Sequence, residues 1–466
     1  MSENLMPETK APSWQTMLAF LIPMMLSNFL QSISGTISSI LLGQFIGVHA
    51  LAAVSIFFPV LFFMISFIIG MGNASTVLIG QAYGARDERQ LKAVVGTSLS
   101  FTFLLGVALA GLGIFFREKI FQAIGTPPDI FAIAVSYATC LFVGLPILFP
   151  YIMYTTFLRG TGDSKTPFYF LLISTGLTLM LTPVLTLGWL GFPRLGINGA
   201  AVSLIGAELI TFILLLLYLQ RIHHPLRLDK QAVRHLKINP AILKLMFKIG
   251  IPTGIQMIMI SLSAIALMAL VNQYGSNATA AYGAANQIIS YVQMPAISIG
   301  MTVAIFGAQA IGAGKMNGLR HILHTGLKLN LVISGTLILC TYLFSKSILS
   351  WFITEKGALE IAMNLLVMTL WSYLLFGNMS VLTGMMRSSG DVFWPTLLSV
   401  LNIWCIQVPS AFLLSKFSPL GIKGIWLSYP LAFAGGLLAQ TVYYHFFWKK
   451  KEKVRLIPAQ TTSTQK

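Results

Sequence analysis

Twelve long apolar runs between residues 16 and 447 constrain the fold more than any other feature of the sequence. A helix needs about 20 residues to cross the apolar core of a bilayer, and these runs are continuous, whereas strands of a membrane barrel alternate over about ten residues. Of the 466 residues, 56% are hydrophobic and only 9% are charged. The sequence therefore predicts an all-α integral membrane protein with twelve transmembrane helices, and it excludes a soluble enzyme, a disordered chain and a nucleic-acid-binding protein.

The distribution of basic residues predicts the topology. If both termini are cytoplasmic, 23 of the 30 lysines and arginines fall in cytoplasmic loops and tails, and seven fall outside. Such an excess of basic residues on the inside is typical of multi-pass proteins of the cell inner (cytoplasmic) membrane. We therefore expect this membrane, an even number of spans and cytoplasmic termini.

An internal repeat divides the chain near its middle. The motif LRGTGDSKTPF recurs as MRSSGDVFWPT 228 residues later, and the same offset relates Gln81 to Gln309 and Gly84 to Gly312. Two six-helix halves that enter the membrane from the same side are related by an axis along the membrane normal. The predicted parts of this pseudo-symmetric pair of bundles are an N-terminal tail (1–15), an N-lobe (16–220), a cytoplasmic linker (221–241), a C-lobe (242–447) and a basic tail (448–466).

The two copies of this motif are predicted to form tight turns. Arg159, Gly162 and Asp163 of the first copy correspond to Arg387, Gly390 and Asp391 of the second. Glycine permits a sharp reversal, and aspartate can cap the helix that follows. A structural hinge or cap is therefore favoured over direct contact with a ligand.

Of the 13 acidic residues in the chain, twelve fall in tails, loops or span ends, and Glu208 is the single one in the middle of a predicted span. It stands eleven residues from Ile197 and eleven from Leu219, which places it roughly 16 Å from either end of its helix. A carboxylate at this depth is costly, so the side chain should be shielded from lipid and either neutral or paired. No basic residue in the middle of a span is available to pair with it. We hypothesise that Glu208 binds and releases a coupling proton; a permanently protonated structural glutamate is the alternative.

Uncharged polar residues are frequent in the leading spans of both halves. We expect a polar central cavity that includes Asn28, Gln31 and Ser38 of the first span, Gln256 of the seventh, and Asn286 and Gln287 of the eighth. Such residues also join helices by hydrogen bonds, so both interpretations stay open. Polar walls with phenylalanine and methionine around them would suit large amphipathic cations or neutral drugs.

The sequence contains no pattern that predicts a cofactor or an enzyme. Cys140, Cys340 and Cys405 each lie in an apolar run, so neither a disulfide framework nor a metal site is expected. An intramembrane enzyme would need paired acids, histidines or a nucleophile within the bilayer, and the seven histidines lie at loops or span ends. We expect a protein that is not an enzyme and needs no cofactor.

Seven motifs in a fixed order resemble those of the multidrug and toxic compound extrusion (MATE) family of the MOP flippase superfamily. They are FLIPMMLSNFLQ, LLGQFIGVHALAAV, GQAYGA, LRGTGDSKTPF, AAYGAANQI, GAQAIGAGK and MRSSGD, within residues 15 to 447. The resemblance implies two lobes around a central cavity and export of amphipathic or cationic compounds by alternating access, in exchange for protons or sodium. We expect a monomer.

The sequence departs from this family at its usual coupling sites. Where many relatives have an aspartate in the first helix this chain has Ser38, and Thr178 and Thr182 replace an Asn and an Asp of the fifth; both threonines are therefore assigned to the cavity. Acids of the seventh and eighth helices fall on Ile260 and Ile289, and an arginine falls on Gln287. Sodium favours anionic oxygen ligands, so proton coupling through Glu208 is favoured over sodium coupling.

A lipid or lipid-linked glycan flippase of the same superfamily is the alternative function. Such a flippase would need cationic groups in its cavity to hold phosphate headgroups. Arginine and lysine are absent from the middle of the predicted spans, and this absence favours the exporter.

Overall fold

The computed structural model describes residues 12–229 and 236–458. Within this part of the chain are twelve helices long and apolar enough to cross a membrane, and no strands, so the predicted fold class is confirmed. Much of the predicted N-terminal tail, the middle of the linker and the end of the basic tail lie outside the described residues. The helices are α1 (Trp14–Phe45), α2 (Val48–Gly84), α3 (Glu88–Ala123), α4 (Pro128–Gly160), α5 (Lys165–Leu187), α6 (Ile197–Arg221), α7 (Pro240–Asn272), α8 (Ser276–Gly312), α9 (Asn317–Ser350), α10 (Lys356–Ser388), α11 (Phe393–Phe417) and α12 (Ile422–Trp448).

The sequence repeat is also a repeat of helix packing. In the first half, a Cβ atom placed on Gly72 of α2 would lie 3.0 Å from a side-chain carbon of Thr156 on α4. In the second half, the equivalent glycine of α8, Gly300, meets Gly384 of α10 so closely that a Cβ on Gly384 would lie 3.0 Å from the carbonyl carbon of Gly300. Both pairs are related by the offset of 228 residues. Small residues at these crossings let the helix backbones approach each other.

The described chain forms two compact units, residues 26–250 and residues 12–25 with 251–458. In the second unit, Met17, Phe20 and Leu21 of α1 are buried in an apolar cluster with residues of α8. In the first unit, the start of α7 is held by Phe247, whose ring centroid lies 5.2 Å from that of Phe101, and by Met246, whose sulfur accepts a hydrogen bond from Ser98. Each unit therefore contains the beginning of a helix that continues in the other.

The two motif turns differ in the role of their aspartates. Gly162 and Gly390 both have positive φ, 89° and 81°, as the predicted reversals require. Asp163 caps α5, because its Oδ1 accepts hydrogen bonds from two backbone amides of the first turn at 3.0 Å. Asp391 does not cap α11; its Oδ2 instead accepts hydrogen bonds from Tyr443 and Lys451, both at 2.8 Å. The predicted cap is confirmed in the first turn and wrong in the second, where Tyr443 of α12 and Lys451 after α12 bind the carboxylate.

The segment after α6 folds back onto the first unit. The hydroxyl of Tyr154 donates to the carbonyl of Leu226, and Asp229 forms an ion pair with the buried Lys92 at 2.6 Å. Two residues before Leu226, His224 accepts the Leu226 amide hydrogen at Nδ1, with 3.2 Å between the two nitrogens. Burial lowers the pKa of His224 below its usual 6.5, although Asp163 acts in the opposite direction. The folded chain therefore favours the neutral imidazole.

This arrangement predicts an acid-sensitive contribution to stability. Because the pKa of His224 is lower in the folded state, the stability that the neutral side chain contributes is complete above the pKa of histidine in the unfolded chain, about 6.5. This contribution is lost as the pH falls below that value. We expect His224→Gln, which can still accept the amide hydrogen, to reduce the fall in the thermal unfolding midpoint between pH 7 and pH 5. The control is His321→Gln at an exposed position, and an unchanged pH dependence in His224→Gln would contradict the assignment.

Candidate coupling site

The helical hairpin of α5 and α6 positions Glu208. Gly188 (φ 77°) ends α5 and Gly196 (φ 57°) precedes α6, and both conformations favour glycine. Directly after this turn, a Cβ on Gly199 would lie 2.7 Å from the carbonyl carbon of Leu185, so the two helices are in close backbone contact. The contact aligns the buried face of α6 with one face of α5.

Glu208 lies at the middle of α6 with its carboxyl group inside the first unit. The Ser174 side chain of α5 lies within hydrogen-bonding reach of this carboxyl group. The second carboxyl oxygen, Oε2, is buried and has no hydrogen-bond partner. Among the described residues, no lysine, arginine or histidine forms an ion pair with Glu208. An unpaired charge in such surroundings is costly, so this arrangement favours the protonated carboxyl group.

The third helix near Glu208 is α4, which contributes Tyr151. The Tyr151 side chain is 4% exposed and lies within electrostatic range of both Glu208 and Arg159. Its ring packs edge to face on Phe212, one helical turn after Glu208, with the ring centroids 6.0 Å apart. Residues of α4, α5 and α6 therefore lie near the carboxyl group. Neither Ser174 nor Tyr151 was identified from the sequence.

A stripe of hydroxyl groups runs along the face of α5 that carries Ser174. Ser174, Thr178, Thr182 and Thr186 recur every fourth residue and are all buried. Each threonine donates to the backbone carbonyl one turn earlier, at 2.9, 2.7 and 2.6 Å in chain order, which leaves its oxygen as an acceptor. Two residues assigned to the cavity, Thr178 and Thr182, thus share a helix face with the hydroxyl that binds Glu208. The spacing of four residues was visible in the sequence and places Ser174 on the same helix face as the threonines, but it does not indicate the contact with Glu208.

The second unit has no carboxyl group at the position equivalent to Glu208. Gly196 precedes α6 and Gly421 precedes α12, with nearly the same backbone angles. Glu208 follows Gly196 by twelve residues, and Phe433 follows Gly421 by twelve residues. Phe433 is 9% exposed, and its ring centroid lies 5.0 Å from that of Tyr373. Because an aromatic side chain serves at this position in the repeat, the architecture itself does not require a carboxyl group there.

The other residues assigned to the cavity are divided between the two units. Asn28 and Ser38 are partly exposed and Gln31 is exposed, all on the part of α1 that belongs to the first unit. In the second unit, Gln256 accepts a hydrogen bond from Arg387 at 2.6 Å. Asn286 is partly exposed and Gln287 is exposed on α8. Their assignment to a cavity stays a prediction.

Twelve membrane-crossing helices in two repeated sets of six define an all-α multi-pass membrane protein with an internal repeat, and comparisons with known proteins identify its family. The MatE family model matches residues 23–184 and 252–413, one match in each half. The chain therefore belongs to the MatE family.

Relatives and solved structures resemble the chain over nearly its whole length. The chain is 51% identical over 450 residues, 97% of each chain, to the probable multidrug resistance protein YoeA of Bacillus subtilis (strain 168). It is 30% identical to the probable multidrug resistance protein YpnP of the same organism, over 93% of this chain and 95% of that one. The crystal structure of MATE in complex with MaD3S superimposes with a TM-score of 0.84 at 20% identity, over 96% of this chain and 97% of that one.

Proposed function

We propose that this protein is a secondary active exporter of drugs or metabolites that exchanges its cargo for protons by alternating access. Its two six-helix halves act as the lobes, and small amphipathic or cationic compounds are the cargo. Family membership supports transport, and the names of the relatives YoeA and YpnP support multidrug resistance as its outcome. The proposed site of action is the cell inner membrane, with both termini in the cytoplasm and the protein as a monomer.

The observation that carries the proposal is the unpaired carboxyl group of Glu208. It is the one acidic residue at the middle of a membrane-crossing helix in the described chain, and Ser174 is its hydrogen-bond partner. A hydroxyl group can donate to an ionised carboxyl group and can accept from a protonated one. Ser174 can therefore stay bound to Glu208 in both protonation states, as reversible proton binding requires.

Exchange follows from the effect of cargo on this carboxyl group. A cationic compound near Glu208 favours the ionised form, and protonation removes that attraction. The two binding reactions then oppose each other, and thermodynamic linkage makes the effect reciprocal. We propose that Asn28, Gln31, Ser38, Thr178, Thr182, Gln256, Asn286 and Gln287 line the cavity that brings the cargo within range. Sodium is less suited, because Glu208 is the sole carboxylate that a hard cation could find there.

Uptake into inverted membrane vesicles tests the identity of the coupling ion. The vesicles contain the full chain, a cationic fluorescent dye serves as cargo, and either a proton or a sodium gradient is imposed. We expect the proton gradient alone to drive accumulation of the dye. Accumulation driven by the sodium gradient would mean that sodium is the coupling ion. Dye movement that does not respond to either gradient would exclude antiport.

A further inference from the structure

Arg387, in the last turn of α10, is directed toward α7 by the packing of its neighbours. A Cβ on Gly307 of α8 would lie 2.8 Å from the Ser388 side chain, so the face of α10 that carries Ser388 is packed tightly against α8. Residue 387 is rotated by about 100° from residue 388 on a helix. The guanidinium group therefore extends from an adjacent face, where its Nη2 donates to Gln256 Oε1 of α7 at 2.6 Å.

The positive charge of Arg387 has no counter-charge among the described residues. No carboxylate forms an ion pair with it, and the nearest acid in the sequence, Asp391, is bound to Lys451 and Tyr443. Its Nε is buried and has no hydrogen-bond partner. The Arg387 side chain as a whole is partly exposed. An arginine cannot release its proton in a protein, and a donor that is buried without an acceptor costs free energy. Gln256 supplies a neutral acceptor to Nη2, and the neighbouring Nε–H is left without an acceptor.

We propose that Arg387 and Gln256 form a binding site for an oxyanion, a phosphate or carboxylate group, in the second unit. The planar guanidinium group presents parallel N–H donors that match such groups, and Gln256 holds it in place through Nη2. The oxyanion belongs either to a cargo molecule or to a lipid headgroup. The role in cargo selection rests on the proposed function, whereas the binding itself does not.

Binding of inorganic phosphate to the purified full chain tests the site at equilibrium, without an ion gradient. Phosphate is titrated at constant ionic strength while the thermal unfolding midpoint is followed, because a ligand of the folded state raises this midpoint. We expect a saturable rise in the wild-type protein. Arg387→Gln should weaken the binding of phosphate roughly tenfold or more. The control is Lys248→Gln, which removes a charge from an exposed position of α7 and should leave the phosphate effect unchanged.

Gln256→Glu provides a second variant that keeps Arg387. A glutamate at this position supplies an internal carboxylate that competes with phosphate for the guanidinium group. We expect the phosphate effect to be lost while the unfolding midpoint without phosphate does not fall. Equal phosphate effects in the wild type, Arg387→Gln and Gln256→Glu would overturn the proposal. It would also be overturned if phosphate had no specific effect on the wild type and the lipid experiment described next found no retained lipid.

The source of the oxyanion is distinguished by a second experiment. The protein is reconstituted in nanodiscs that contain phosphatidylglycerol or only phosphatidylcholine, and the lipids retained after extraction are identified by native mass spectrometry. Retention of phosphatidylglycerol that depends on Arg387 supports a lipid headgroup, and phosphate binding without such retention supports a soluble anion. Glu208→Gln should bind phosphate as the wild type does, so a failure of proton coupling is separable from a failure of this site.

Discussion

Glu208→Gln is expected to reduce proton-driven dye accumulation to the level measured without a gradient. A pH difference of one unit supplies about 1.4 kcal/mol, which is enough for roughly tenfold accumulation in a one-for-one exchange. Glutamine keeps the size and a hydrogen-bonding group next to Ser174 but cannot bind a proton. The variant should still let dye equilibrate across the membrane, because a neutral side chain weakens the attraction for a cation but does not prevent the alternation of the lobes.

Two variants serve as controls for this prediction. Glu360→Gln removes an exposed acid of α10 and should accumulate dye as the wild type does. Glu208→Asp keeps a titratable group but withdraws it by one methylene group from Ser174, so we expect partial coupling. If Glu208→Gln were less stable than the wild type but still accumulated dye under a proton gradient, Glu208 would be a structural glutamate.

Gly384→Ala is expected to destabilise the protein by about 1 to 3 kcal/mol, the usual effect of adding volume to a packed contact. The added Cβ would meet the carbonyl group of Gly300, with the carbonyl carbon only 3.0 Å away. The obstacle is backbone and not the end of a flexible side chain, so the two helices would have to separate. The free energy of unfolding, measured by SDS titration in mixed micelles, reports this effect.

The matched control is Gly283→Ala on α8, the helix that carries Gly300. A Cβ on Gly283 meets nothing within 4 Å, and alanine in a helix is favoured over glycine by no more than about 1 kcal/mol. We expect Gly283→Ala to be neutral or slightly stabilising. If the two alanine variants had equal stability, the close crossing of α8 and α10 would be refuted.

The number of helices and the repeat could be predicted from the sequence because both depend on local properties. A membrane-crossing helix is recognised from the length and hydrophobicity of one continuous segment. The repeat preserves the spacing of small residues, and the contacts of Gly72 and Gly300 recur with the same offset as the sequence motifs. Neither inference required knowledge of which helices are neighbours.

The partners of individual side chains could not be predicted, because they depend on contacts between distant segments. Asp391 has the sequence context of Asp163, yet it binds Tyr443 of α12 and Lys451, which follows α12, whereas Asp163 binds backbone amides of α5. Arg387 was assigned a structural role in a turn, and its unpartnered Nε is apparent only once α10 is packed. The π-helical turns in α9 and α11, at Asn330–Ser334 and Asn402–Gln407, also have no signal in the repeat.

The candidate coupling site was predicted in part. The shortage of acids within the spans identified Glu208, because a single carboxyl group in an apolar segment is conspicuous in composition alone. Ser174 was not distinguished from the many serines and threonines that bond to their own helix backbone. Its contact with Glu208 depends on the rotation of α5 against α6, which the close approach at Gly199 determines.

Proton movement driven by a gradient of cationic cargo tests the role of Glu208 most directly. Proteoliposomes carry a pH indicator inside and begin without a pH difference, and the cargo gradient is then imposed. The account predicts that cargo drives protons in the opposite direction through the wild-type protein, and that Glu208→Gln moves cargo at a measurable rate without moving protons. Equal proton movement in the wild type and in Glu208→Gln would contradict it.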